Sequence, residues 1–127
     1  MQFSEGQRKL AIHAMDEAEE RIARYYCIPP FRWQELQYDL LTRQDCEWEP
    51  LPDTVLAQVQ FLQRANRGRS NLRDFYRIQL NDPTILTAAK RENLASNLYP
   101  FFVYILTHEM VHLVRLSTIF EDPTVLP

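Results

Sequence analysis

Residues 99–120 read YPFFVYILTHEMVHLVRLSTIF, and this stretch decides the fold. Apolar residues lie nearly all round a 3.6-residue period, and Pro100 stands where a first helical turn tolerates it. The pattern predicts a long buried helix from about Phe101 to Phe120. Two histidines and a glutamate interrupt it: His108-Glu109-Met110-Val111-His112. Burying these three polar groups without partners would be costly.

Working back towards the amino terminus, the signals alternate between strand and turn. Ile85 to Asn97 is mixed and reads as a short helix or a loop. Asp74 to Leu80 (DFYRIQL) is β-rich and ends at Asn81-Asp82-Pro83. The polar turn Ala65 to Asn71 contains Gly68 and separates that run from Val55 to Leu62. Val55 to Leu62 fits strand alternation and also one helical face, and the turn that follows favours a hairpin. Leu36 to Thr42 is read as a third strand. Ser4 to Tyr26 is the first helix, with Ser4 as its cap and Leu10, Ala14 and Ile22 at helical spacing. Pro29 and Pro30 close it, since proline cannot continue the hydrogen-bond ladder. The expected architecture is α+β over a single domain, residues 1–127: an N-terminal helix, about three strands, and the long C-terminal helix.

Composition narrows the function. The 127 residues are 46% hydrophobic and 24% charged with net charge −3, the balance of a globule rather than a disordered chain. Acidic residues outnumber basic ones, 17 to 14, which argues against a nucleic-acid footprint. Twelve of the basic residues are arginine, which favours pairing with carboxylates, so several surface ion pairs are expected. Gly6 and Gly68 are the only glycines, which excludes a glycine-rich phosphate loop. Cys27 and Cys46 are too far apart for a C-x-x-C pair. No secretory apolar core opens the chain, and no apolar run is long enough to span a membrane. These features predict a cytoplasmic protein with free thiols and no membrane partner.

The H-E-x-x-H spacing carries chemistry. Side chains four apart lie one above the other on a helix, so both imidazoles can reach one Zn²⁺. Glu109 lies about 100° round from His108, displaced from the ligands yet near enough to take a proton from a water that the metal polarises. Chance alone gives this pattern in a chain of this His and Glu content roughly once in two hundred. The competing reading is a pair of core histidines satisfied by hydrogen bonds, with Glu109 in an ion pair.

With Ile105, Leu106 and Thr107 before the motif and Met110, Val111, Leu113 and Val114 around its second histidine, the segment resembles the zincins, the H-E-x-x-H metallopeptidases. The resemblance covers roughly Asp74 to Phe120. It implies a zincin-like domain, zinc as cofactor, His108 and His112 as ligands, Glu109 as general base, and a peptide or protein substrate. That substrate is expected to pair along an exposed edge strand, Asp74–Leu80. Arg115 and Thr118 stand where metzincins carry Gly and a third His, so the chain is not a metzincin.

A third ligand is not evident. Glu121 and Asp122 are the carboxylates after the motif. On a continuous helix Glu121 would sit about 13 Å along the axis from His112, so the helix would have to fold back. The other sources are His13, Glu17 or Glu20 on the first helix, Cys27, Cys46, another subunit, or native sequence beyond Pro127. Tyr104, one turn before His108, could donate to a tetrahedral oxyanion, although packing is the commoner role of a tyrosine on a buried helix. Arg115, one turn after His112, could hold a carboxylate by its fork, or simply pair with a structural acid. The carboxylates Asp16, Glu17, Glu19 and Glu20 read as a solvated face. The aromatics Tyr25, Tyr26, Phe31, Trp33 and Trp48 read as core or interface.

Overall fold

The computed structural model describes residues 2–45, 51–62 and 75–117. Its elements are α1 (Glu5–Tyr25), α2 (Pro30–Trp33), β1 (Gln37–Leu41), a 3₁₀ turn (Arg43–Asp45), β2 (Ala57–Leu62), β3 (Phe75–Leu80), α3 (Asp82–Arg91) and α4 (Leu98–Ser117). The fold is α+β as expected, with an N-terminal helix, a three-stranded sheet and a long C-terminal helix.

Helix α1 begins with a reciprocal capping box. Ser4 Oγ accepts from the Gln7 N–H at 3.1 Å, and Gln7 Oε1 accepts from the Ser4 N–H at 2.8 Å. The helix stops before the prolines do anything. Cys27 adopts a left-handed φ of 54°, and the N–H groups of Ile28 and Cys27 return to the carbonyls of Ala23 and Arg24 at 2.8 and 3.2 Å. This is a Schellman ending with cysteine in the position glycine usually takes. Asn93, φ 60°, closes α3 in the same way, with the Leu94 N–H on the Ala89 carbonyl at 2.7 Å.

The sheet order is β1-β3-β2, with β1 parallel and β2 antiparallel to β3. This corrects the expected edge strand: β3 lies in the middle, both of its edges are occupied, and no peptide can add to it. The hairpin pattern identified one neighbour of β3. The other, β1, comes from far away in sequence and leaves no local signal. Arg77 on β3 grips Asp39 on β1 with Nε and Nη2, each 3.0 Å from a carboxylate oxygen, which helps lock the parallel register.

The core lies between α1, α4 and the sheet. Ala11, Ala14, Met15, Ala18 and Ile22 line the buried face of α1. Those small alanines let α4, its chief packing partner, approach closely with Phe102, Leu106, Met110, Leu113 and Val114. Phe3 packs edge-on against Phe102, with ring centroids 5.2 Å apart. Tyr76, Ile78 and Leu80 supply the buried apolar side chains of β3. Tyr25 and Phe31, expected in the core or an interface, are exposed. Trp33 packs partly buried against the core, and Trp48 lies outside the described residues.

The arginine-rich surface is paired as composition suggested: Arg8–Asp45, Arg21–Glu17, Arg24–Glu20, Arg32–Glu35 and Arg77–Asp39. Among the described residues no helix is long and apolar enough to cross a membrane.

Candidate metal centre

Helix α4 is buried on one side only, a correction to the expectation of a helix buried all round. Leu98, Phe102, Val103, Ile105, Leu106, Met110, Leu113 and Val114 face the interior, while Tyr104, His108, His112, Arg115 and Leu116 form an exposed stripe. Apolar content misled here, because Tyr104 and Leu116 are themselves exposed, at 67% and 58%. The histidines therefore bear no burial cost that a metal would be needed to relieve.

Their geometry speaks instead. The two Nε2 atoms stand 3.1 Å apart, with the rings edge to face and centroids 4.7 Å apart. Two nitrogens bound at 2.0–2.1 Å to one tetrahedral zinc would be separated by about 3.3 Å. The imidazoles thus fit a shared ion within a few tenths of an ångström. In the ion's absence one ring can donate to the other, which the same distance also permits.

Glu109 points the other way. It is 8% exposed, the only buried ionisable side chain on α4 among the described residues. Burial pushes its carboxyl above the ordinary carboxylate range, and the nearby imidazoles of His112 and then His108 pull it partly back. A carboxylate raised in this way, one residue from the ligand pair, has the electrostatic character of a proton acceptor.

The third ligand stays open. Among the described residues no three or more His, Cys, Asp or Glu side chains come together as a metal site. His13 and Cys27 are exposed, and neither joins the pair in such a group. Glu17 accepts from Tyr99 Oη at 2.7 Å and pairs with Arg21, while Glu20 pairs with Arg24. Cys46, Thr118, Glu121 and Asp122 lie outside the described residues. Tyr104 and Arg115 flank the histidines by one turn on either side, both exposed rather than packed.

Two cavities lie elsewhere. One of about 690 Å³ is lined by Asp53, Thr84 and Arg91 among others, and one of about 410 Å³ by Glu19, Glu20 and Trp33 among others. Neither is lined by His108, Glu109 or His112.

Sequence reasoning overlooked a second group of polar residues, which ties segments distant in sequence together. Asp82 is fully buried; its Oδ2 accepts from the Phe3 N–H and its Oδ1 from the Arg43 N–H, both at 2.9 Å. Burial raises its carboxyl, while those N–H groups and its own oppose the shift. The acidic run on α1 is likewise more than a solvated face. Glu19 accepts from Tyr38 on β1, and Glu17 from Tyr99 on α4. The hint was an Asp between strand-ending Asn81 and a Pro at a helix start, which reads equally well as a plain turn.

No family model, curated protein or solved structure matches this chain.

Proposed function

We propose that this chain is a zinc-dependent metallopeptidase-like hydrolase, with His108 and His112 holding the ion and Glu109 as general base. The observation that carries the reading is the 3.1 Å separation of the two Nε2 atoms beside a buried carboxylate coupled in charge to both rings. A bound zinc supplies Lewis acidity towards a peptide carbonyl and brings the pKa of water near 7. Glu109 takes the proton as water attacks and returns it to the leaving amine. Tyr104 donates to the developing oxyanion, and Arg115 holds a substrate carboxyl group by its fork. With β3 interior, the peptide pairs instead along β2, which has one strand neighbour among the described residues and touches α4. Glu121 remains the candidate third ligand from within the chain.

A second reading, a zinc-binding module without catalysis, is favoured by one observation: the histidines stand on an open face rather than in a cleft. Glu109→Gln separates the two. In the hydrolase it retains zinc and loses peptide cleavage by about 10²–10⁴-fold, measured with a quenched-fluorescence peptide library. Undiminished cleavage by that variant would overturn the assignment of Glu109, and no cleavage by the zinc-loaded parent would favour the module.

A further inference from the structure

Four of the exposed residues of α4 are placed symmetrically about Met110. Tyr104, His108, His112 and Leu116 follow one another at intervals of four, an apolar residue outside each histidine. A two-fold axis through the level of Met110 exchanges position 104 with 116 and 108 with 112. An antiparallel second α4 would therefore bring His108 opposite His112, and Tyr104 opposite Leu116, at both ends of the contact. The two outer pairs would bury side chains that are now 67% and 58% exposed.

We propose that a second copy of this chain docks on the open face of α4, so that His108 and His112 of both copies hold one zinc ion between them. The inference rests on the metal reading above and adds a partner to it. Each copy brings two ligands at the spacing of one tetrahedral ion, and zinc in a closed site takes four. The contact is one stripe of a single helix on each copy, a small patch beside the roughly 1,000 Å² a stable interface needs. The pair is therefore held by the ion, and the metal-free chain is a monomer. Four imidazoles leave no position for water, so the dimer is the closed form of the site and the single chain its open form.

The test is sedimentation velocity of the full chain titrated with zinc chloride, with bound zinc measured in the same samples. The proposal expects the mass to double as about half an ion per chain binds, and chelation to restore the monomer. His108→Ala and His112→Ala each abolish the dimer. Leu116→Glu, which leaves all ligands in place, weakens it about tenfold or more while the single chain still takes up zinc. A monomer that binds one ion per chain would overturn the dimer and leave the metal site standing. A chain that binds no zinc would overturn both. A dimer that forms without zinc, or survives loss of the histidines, would overturn the bridge.

Discussion

Asp82 at the head of α3 and Glu109 in the middle of α4 are both buried carboxylates raised by burial, yet their surroundings differ in kind. Asp82 is met by backbone N–H groups from the chain's start, the 3₁₀ turn and its own helix, which cannot titrate or leave. Glu109 lies in the electrostatic field of two imidazoles that stand at the surface and can exchange protons or ligands. A carboxylate anchored by backbone holds a fold. One that feels titratable rings beside solvent responds to what those rings bind.

The contrast is broken most forcefully at the histidines. His108→Ala or His112→Ala should lower zinc affinity by at least about 100-fold, read by competition with a chromogenic chelator. Because both rings are exposed, thermal stability without zinc should hardly change. Asp82→Ala should do the reverse. It strands buried N–H groups and should cost about 2–4 kcal/mol in urea unfolding, while the folded fraction binds zinc as before.

Glu109→Gln sharpens the comparison from the side of pH. A carboxyl raised above its unfolded value contributes stability that is full below the unfolded pKa and lost as pH rises through the folded one. At neutral pH the charged form is buried at a cost, so the metal-free Gln variant should be more stable by about 1 kcal/mol. That advantage should vanish on acidification below the carboxylate range, as thermal melts across pH would reveal. Tyr99→Phe, which removes the hydroxyl donated to Glu17, should lower the melting temperature slightly and leave zinc binding unchanged. Smallest of all, Cys27→Gly should stabilise by about 0.5–1 kcal/mol by relieving a left-handed cysteine.

Legibility followed the range of the interaction. The cap at Ser4 and the motif helix rest on neighbours within a few residues, and alternation marked the two antiparallel strands, so the pattern of side chains announced each of them. Pairing of β1 with β3, the reach of Asp82 to Phe3 and Arg43, and the tyrosine bonds to Glu17 and Glu19 join distant segments and leave no period to read. Helix α4 shows the converse error. Its apolar content was plain, but Tyr104 and Leu116 belong to the exposed stripe, so content alone concealed which side faces water. The histidine pair was legible because spacing alone sets it; what completes the pair is not local, and spacing is silent about it.

The most direct test is zinc content of the untagged full chain at neutral pH, by native mass spectrometry beside the two histidine variants. The account predicts stoichiometric zinc in the parent, about one ion per chain or per pair of chains, and its loss in both variants. A parent that takes up no zinc, or variants that retain it, would contradict the assignment of His108 and His112 as ligands.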